Sequence, residues 1–297
     1  MDMQSVSIIG MGRVGGALAL GLSHAGFTIE NLIYRSTDTA AEAIACRITP
    51  PPQVLVFDDL QHLNSEIIFI TSADPAIQAI SARLTTVVPQ NTFVFHTSGS
   101  LSSEILSELT AIGCETGSIH PLISISDSFL GSEKFAGAFF CVEGSADAAA
   151  VAKSLVRKLQ GFSFSIETKF KSLYHASAVT ASGHLVALID TAVDMLSKCG
   201  LESATSKQIL MPLIKSTIEN LDAQTSVQAL TGTFARADIA AFDRHLASLE
   251  DNVSDQTRRI YLELGDRSLD IAEHRGGSAD NAEKIRNAIS MAKRISK

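Results

Sequence analysis

The chain has 297 residues, of which 45% are hydrophobic and 19% charged, with a mean hydropathy of +0.20; these values are typical of a folded globular protein and argue against disorder. The length predicts two domains. The formal net charge of -8 disfavours a nucleic-acid partner, and the four cysteines show neither zinc-site spacing nor a disulfide framework. We therefore expect a small-molecule partner and no metal.

The amino terminus leads directly into a strand-like segment and shows neither the basic region nor the cleavage site of a signal peptide. We see no run of about 18 uncharged apolar residues, so we expect no membrane span. Together these features predict a cytoplasmic protein.

The first half of the chain alternates apolar strand-like runs with helical stretches, a pattern typical of βαβ units and a parallel sheet. Helices are predicted at residues 17–25, 76–84 and 101–111. The predicted strands are residues 6–9, 29–34, 54–57, 67–71, 92–96, 117–120 and 139–142.

From residue 168 the apolar residues follow a helical period, which predicts one helix over 168–199 that is ended by Gly200. At about 1.5 Å per residue this helix would be roughly 45 Å long. Pro212 predicts a kink or a break in a later helix. The other predicted helices are residues 206–221, 238–249, 254–273 and 281–296.

A glycine pattern, Gly10-x-Gly12-x-x-Gly15, lies between the first strand and the first helix, where a dinucleotide-binding fingerprint is expected. Gly10 would make the tight turn, Gly12 would let the backbone approach the pyrophosphate, and Gly15 would let the helix pack closely on the strand. These three glycines, together with Arg13 and Val14, are predicted to bind the cofactor at the helix N-terminus. The alternative is a glycine-rich turn without a ligand.

The fold class predicted from these patterns is α/β. An N-terminal Rossmann domain over residues 1–166 would bind the dinucleotide, and an all-α domain over 167–297 would serve substrate binding and dimerisation. The change of periodicity alone sets this boundary.

The end of the second strand carries Arg35, Ser36 and Thr37, where an NAD-binding domain would carry an acidic residue. A guanidinium and two hydroxyls suit a 2′-phosphate, so NADP(H) is the predicted cofactor. Alternatively, Arg35 is a solvated loop residue.

Polar residues follow three further strands, at the edge where open α/β sheets bind ligands. Thr71, Ser72, His96 and Ser98 are predicted to contact the cofactor, and His120 to polarise a substrate carbonyl. Both histidines could instead have structural hydrogen-bonding roles. Asp74, Ser98 and Ser100 could be helix caps.

The long helix begins with Lys171 and His175, which share a face because they are four residues apart, and Ser182 joins that face. We predict Lys171 as proton donor or substrate anchor, supported by His175 and His120, with Ser182 contacting substrate. Thr231 and Arg236 lie in a polar break between later helices and are further substrate candidates. Alternatively, Lys171 and His175 lie on a solvated basic face. Thr231 and Arg236 would then lie in a turn in which Asp238 caps the next helix.

Five motifs together resemble Rossmann-like oxidoreductases that carry a C-terminal helical domain of unknown function. They are Gly10–Gly15, His96–Ser100, Ser118–Leu122, Lys171–Val179 and Thr231–Asp238 with His245-Leu246.

That family is similar to ketopantoate reductases, pyrroline carboxylate reductases, prephenate dehydrogenases and β-hydroxyacid dehydrogenases. The resemblance implies an NAD(P) cofactor, a cleft between the domains, a 6-phosphogluconate dehydrogenase C-terminal-like helical domain and a homodimer formed through it. It also implies a proton-transfer role for Lys171 and the residue four positions later, here His175 in place of the usual Asn. Gly183 departs from the Asn common in relatives.

These observations predict an NADP(H)-dependent oxidoreductase that transfers a hydride to or from a small carbonyl, hydroxy-acid or imine substrate. The alternative, motivated by Gly183, is a non-catalytic NADP(H)-binding sensor or regulatory module. Transfer between NADP and a deazaflavin stays open.

Overall fold

The computed structural model describes residues 5–34, 39–276 and 278–295. The chain forms two compact units, Met1–Ser182 and Gly183–Lys297. The sequence placed the boundary earlier, at 166/167. The difference arises because the helix that begins at Lys171 belongs to the first unit, where the Lys171 side chain is buried.

The first unit is built around a sheet of eight strands within the described residues, in the order β3-β2-β1-β4-β5-β6-β7-β8. All neighbours pair in parallel except β6 and β7, which are antiparallel. The strand order reverses beside β1, which is the switch point where such sheets bind ligands. The strands are β1 (Ser5–Ile9), β2 (Thr28–Tyr34), β3 (Gln53–Val56), β4 (Ile67–Ile70), β5 (Phe93–His96), β6 (Glu115–Pro121), β7 (Phe139–Gly144) and β8 (Phe162–Phe164).

Alternate residues of the central strands enter two separate cores, one on each face of the sheet. In β4, Ile67 and Phe69 join one core, whereas Ile68 and Ile70 join the other. Side chains alternate between the faces of a strand, and a sheet covered on both faces therefore needs continuous apolar strands. These continuous apolar runs are the reason the strands could be predicted from the sequence.

The helices of the first unit cover these two faces and connect the strands. Helices α2, α5 and α6 were not among the predicted elements. The helices are α1 (Arg13–His24), α2 (Thr39–Ala45), α3 (Asp74–Leu84), α4 (Ser107–Ala111), α5 (Ser128–Gly131), α6 (Ala146–Lys158) and α7 (Lys171–Ala181).

The second unit is helical, with a core that includes Phe242, Leu262, Leu269 and Ile285. The sequence predicted a kink or a break at Pro212. Helix α9 runs through Pro212 without a break. The helices of the second unit are α8 (Gly183–Ser197), α9 (Ser203–Ala223), α10 (Ser226–Ala229), α11 (Gly232–Ala235), α12 (Ile239–Asn252), α13 (Asp255–Glu273) and α14 (Ala279–Ile295).

The predicted helix over 168–199 is two helices, because Ser182 leaves the helical conformation (φ -120°, ψ -75°) between α7 and α8. The stretch Thr168–Ser197 is nevertheless long and apolar enough to cross a membrane by length and composition, with a mean hydropathy of 1.3. Only 6% of its most apolar window is buried. This stretch was not recognised in the sequence, where no such segment was expected.

Candidate active site

The glycine turn between β1 and α1 is held by close backbone packing. Gly10 has a φ of +102°, a conformation that favours glycine, and a Cβ on Gly15 would lie 2.0 Å from the Gly10 carbonyl oxygen. The Thr71 hydroxyl donates to the backbone carbonyls of Ile9 and Gly10. Thr71 therefore holds the turn in shape.

Gly12 has a different environment, since no atom beyond its two chain neighbours lies within 4 Å of the position its Cβ would take. It is the N-cap of α1 and provides no side-chain cap, and the first turn of the helix has no acidic residue. Arg13 is exposed, whereas Val14 packs against the core. The first N–H groups of a helix carry partial positive charge and bind phosphate, so the turn fits a dinucleotide pyrophosphate.

A cavity of about 700 Å³ lies beside this turn, at the carboxyl ends of β1 to β4. Gly10, Gly12, Thr71 and Ser72 line it, together with residues that the sequence analysis missed. The carboxyl-end rule could have identified these, since they end β2 or follow β3 and β4: Tyr34, Phe57, Asp58, Ala73 and Pro75. Arg35, Ser36 and Thr37 lie outside the described residues.

His96 is fully buried and both of its ring nitrogens bond the loop that follows β5. Its Nε2 contacts the Ser102 carbonyl at 3.1 Å, and its Nδ1 accepts the Ser98 N–H at 3.2 Å. Burial, together with the charge of Lys171, lowers the pKa of His96 to about 4, so it is neutral at pH 7. His96 therefore has a structural role in this loop, and its predicted contact with the cofactor stays a prediction.

The Ser98 hydroxyl also stays within this loop, where it accepts the N–H groups of Ser100 and Leu101. Ser100 in turn donates to the Asp74 carboxylate at 2.6 Å. Asp74 lies inside the first turn of α3, whose N-cap is Ala73, so it does not cap that helix. The loop after β5 is thereby tied to the segment that lines the cavity.

Lys171 is 1% exposed, and its ammonium contacts two side chains of the sheet. It donates to the Ser118 hydroxyl and forms an ion pair with Glu143 at 3.3 Å. Ser103 donates both its N–H and its hydroxyl to the same carboxylate at 2.8 Å. Burial alone would raise the pKa of Glu143, but Lys171 and Ser103 outweigh it and lower the pKa.

The predicted role of Lys171 as proton donor or substrate anchor stays a prediction, but its side chain does not lie on the open helical face expected for it. The ammonium is held inside the first unit, and Lys171 lines neither this cavity nor the one described below. It fixes the first turn of α7 on β6 and β7 instead. Lys171 is thus a positioning residue for the helix that carries Tyr174 and His175.

His120, at the end of β6, meets the next residues of α7. Its Nδ1 lies 2.7 Å from the Tyr174 hydroxyl, and its ring makes an edge contact with the His175 ring at 5.6 Å. Burial, with smaller contributions from His175 and Lys171, lowers the pKa of His120 to about 4. Burial also raises the pKa of Tyr174. Both groups are therefore neutral at pH 7.

Gly99 brings the two imidazoles together. A Cβ at Gly99 would lie 2.5 Å from His175 Nδ1 and 2.8 Å from His120 Nε2. The Nδ1 atom of His175 is buried and has no hydrogen-bond partner among the described residues. Both imidazole rings therefore pack closely against the Gly99 backbone, which leaves no room for a side chain at this position.

A second cavity, of about 530 Å³, opens next to this histidine pair within the first unit. Ser182 lines it, with its hydroxyl bonded to the Ala178 carbonyl at 2.7 Å. The other lining residues are apolar or carry hydroxyls, and they come from the segment after β6 and from α7: Pro121, Leu122, Ile123, Ser124, Ser177, Ala178, Val179 and Ala181.

Comparison with known families matches residues 2–121 to a Rossmann-like domain and residues 138–268 to a domain of unknown function, DUF2520. The chain pairs a Rossmann-like domain with a DUF2520 domain. The DUF2520 match begins at β7 and so includes Glu143 and α7, whereas His120 lies in the Rossmann-like match. None of the curated proteins compared with the chain matches it.

Many solved structures share the fold of the chain, including the following three. A Bacteroides fragilis protein described as a candidate NADP oxidoreductase is 20% identical, with a TM-score of 0.73 over 90% of this chain and 98% of that one. A Thermotoga maritima protein is 23% identical, with a TM-score of 0.70 over 91% and 99%. Plasmodium falciparum pyrroline carboxylate reductase, solved with NADP bound, is 16% identical, with a TM-score of 0.52 over 100% and 98%.

Thr231 and Arg236 lie in the second unit and are exposed. They flank the short helix α11, and Asp238 then caps α12, where its side chain accepts the Ala241 N–H at 3.0 Å. This matches the alternative interpretation, a capped turn that opens the next helix. Their predicted contact with substrate stays a prediction.

Three residues of the candidate site, Glu143, Tyr174 and Gly99, were not singled out in the sequence analysis. Glu143 was a lone acidic residue at the end of a strand, and Tyr174 was noted only as part of a motif. Gly99 sits in the polar loop after β5 without any glycine pattern. Their contacts are with residues distant in sequence, which no local pattern reveals.

Proposed function

We propose that the chain is an NADP(H)-dependent oxidoreductase that acts on a small carbonyl, hydroxy-acid or imine substrate. One observation carries the proposal: the uncapped N-terminus of α1 opens at Gly12, where the backbone is accessible beside a cavity of about 700 Å³. This arrangement suits a pyrophosphate with an adjoining nucleoside. The names of two structures that share the fold, a candidate NADP oxidoreductase and a reductase with NADP bound, support it.

The residues of the chain would divide the work. The α1 N-terminus binds the phosphates, and Ser72 borders the same cavity. The nicotinamide of a bound NADP(H) supplies or accepts a hydride. His120 and His175, which border the second cavity, exchange a proton with the substrate, while Lys171 holds α7 in place.

The preference for NADP(H) over NAD(H) rests on Arg35. We expect the protein to bind NADPH at least tenfold more tightly than NADH, because a guanidinium pairs with the 2′-phosphate. Replacing Arg35 by Ala should remove most of this difference and leave NADH binding unchanged. Fluorescence titration with each nucleotide measures both affinities, and equal affinity of the unaltered protein for the two would refute the assignment.

The alternative function is a non-catalytic NADP(H) sensor, and the buried ion pair of Lys171 favours it. A turnover assay separates the two proposals. NADPH oxidation is followed with ketones, aldehydes, keto acids and cyclic imines, and the reverse reaction with hydroxy acids. Turnover that depends on His175 is the expected result. NADPH binding without oxidation of any of these compounds would support the sensor.

We also propose that the chain forms a homodimer through its helical second unit. Helices α8 and α9 expose large apolar side chains, which a second copy would cover. These are Val186, Leu188, Ile209, Leu213, Ile218 and Leu221.

The predicted cytoplasmic location stays a prediction.

Light scattering at micromolar concentration is expected to give a dimer mass. Leu213→Glu should give a monomer, because it would bury a carboxylate in the interface. Gln208→Glu adds a similar charge at an exposed position about 140° around α9 and should leave the dimer intact. A monomeric mass for the unaltered protein would refute the proposal.

A further inference from the structure

The larger cavity extends well beyond the glycine turn. Its lining includes Gly10 and Gly12 after β1, Tyr34 at the end of β2, and Phe57 and Asp58 after β3. In the sheet, β2 separates β3 from β1. Neighbouring strands are about 4.8 Å apart, so β3 lies roughly 10 Å from the strand that carries the turn. The cavity therefore has room for more than a pyrophosphate.

Away from the turn the cavity is lined by apolar side chains. Phe57 lines it from the segment after β3, and Ala76 and Ala79 line it from α3. Phe57 packs against the core that contains Ile33 and Ile80, which also line the cavity. Nucleobases stack on aromatic side chains and bury their faces against apolar groups. This part of the cavity therefore suits a flat aromatic ring.

Asp58 adds a single charge to this apolar lining. Among the described residues that line the cavity, it is the only one with a charged side chain. A carboxylate accepts hydrogen bonds and does not donate them, so it favours a ligand group that carries N–H or O–H. It repels a phosphate or a carbonyl oxygen in the same place. The best ligand here is a flat ring with a hydrogen-bond donor on its edge.

The order of the strands indicates which part of a dinucleotide would reach Asp58. A pyrophosphate binds at the end of β1, and the residue that reads the adenosine ribose follows β2. Asp58 follows β3, which lies one strand further from the turn than β2. The group attached beyond the ribose is the base, and adenine carries an amino group on its edge.

We propose, building on the proposed NADP(H) function, that Asp58 accepts a hydrogen bond from the 6-amino group of adenine and thereby selects dinucleotides that contain this base. Phe57, Ala76 and Ala79 contact the faces of the ring. The residues predicted from the sequence bind the phosphates and the ribose end of the cofactor, so Asp58 adds a residue that reads the base.

The test compares NADPH with reduced nicotinamide hypoxanthine dinucleotide phosphate, which has a carbonyl oxygen in place of the 6-amino group. In that nucleotide the carboxylate of Asp58 would face an oxygen instead of an N–H donor. We expect the unaltered protein to bind NADPH at least tenfold more tightly, because a polar group that loses its partner in a binding site weakens binding. The fluorescence of the reduced nicotinamide measures both dissociation constants.

Asp58→Asn should remove most of this preference. An amide accepts from the amino group of adenine through its oxygen and donates to the carbonyl oxygen of hypoxanthine through its nitrogen. We expect the ratio of the two dissociation constants to fall to about threefold or less, mainly because the hypoxanthine nucleotide binds more tightly.

The matched control is Asp59→Asn, which makes the same change of charge at the next position. Asp59 is also exposed but does not line the cavity. This variant should keep the preference of the unaltered protein, and it corrects for the general effect of removing a negative charge near an anionic ligand. Substitutions at exposed positions change stability little, so both variants should keep the melting temperature.

Three results would overturn the assignment and leave the proposed function standing. They are equal affinity of the unaltered protein for the two nucleotides, a preference that Asp58→Asn retains, and a preference that Asp59→Asn loses equally. Tighter binding of NADPH but not of NADH by Asp58→Asn would also overturn it, because the carboxylate would then lie beside the 2′-phosphate. Absence of saturable NADPH binding would instead count against the proposed nucleotide site itself.

Discussion

Lys171→Met is expected to lower the free energy of unfolding by about 3–5 kcal/mol, because it leaves the carboxylate of Glu143 buried without its cation. The side chains of this ion pair are only 2% and 10% exposed. Loss of the pair should also release α7 from β6 and β7, so that Tyr174 and His175 lose their register against His120. Urea unfolding measures the first effect, and kcat measures the second.

A double-mutant cycle gives this prediction its controls. Glu143→Gln alone should also destabilise the protein, whereas the double variant Lys171→Met with Glu143→Gln should be less destabilised than the sum of the two. Lys169→Met breaks the exposed ion pair with Glu167 and should change stability little. An effect of Lys171→Met no larger than that of Lys169→Met would mean that the buried pair does not hold α7.

The pH dependence of this effect follows from Glu143, whose pKa is lowered in the folded protein. A carboxyl group with a lowered folded pKa stabilises the fold above its unfolded value, about 4.3, and this contribution disappears as the pH falls through the folded value. In Lys171→Met, burial without the cation should raise the pKa of Glu143, so the stability difference between the two proteins should begin to shrink at a pH above about 4.3 and continue to shrink as the pH falls through the lowered pKa of the unaltered protein.

The sequence predicted most of the first unit because its strands carry a strong local signal. Strands such as β4 are apolar throughout, since both faces of the sheet are covered. Helix α6 could have been found as well, because Ala148, Ala152 and Leu155 lie at helical spacing after the cap Ser145. Strand β8 has only three residues, too few for a period to be recognised.

The candidate site was only partly accessible from sequence. The glycine turn is a local pattern, so its residues could be named. The ion pair between Lys171 and Glu143 joins residues 28 positions apart, and the packing of Gly99 against His175 is equally non-local. A helical face indicates which side chains point together, but not whether they meet solvent, substrate or a buried carboxylate.

The glycine turn gives the second large effect, through two single-methyl substitutions with different consequences. Gly15→Ala places a Cβ 2.0 Å from the Gly10 carbonyl oxygen, so the turn must shift. We expect a loss of stability on the order of 1–3 kcal/mol, as for other overpacked sites, together with loss of NADPH binding. Thermal unfolding and nucleotide titration measure the two effects.

Gly12→Ala is the matched control, because its Cβ would meet no atom beyond its two chain neighbours within 4 Å. We expect a melting temperature close to that of the unaltered protein. NADPH affinity should fall at least tenfold, since the methyl group would occupy the space through which the pyrophosphate approaches the backbone. Equal losses of stability in the two variants would contradict this division of roles.

The most direct test of the central claim is titration of the unaltered protein and of Gly12→Ala with NADPH, followed by the fluorescence of the nucleotide. The proposed function predicts saturable binding with a micromolar or lower Kd, weakened at least tenfold by Gly12→Ala in protein that is still folded. Absence of saturable binding, or equal binding by the two proteins, would contradict a nucleotide site at the glycine turn.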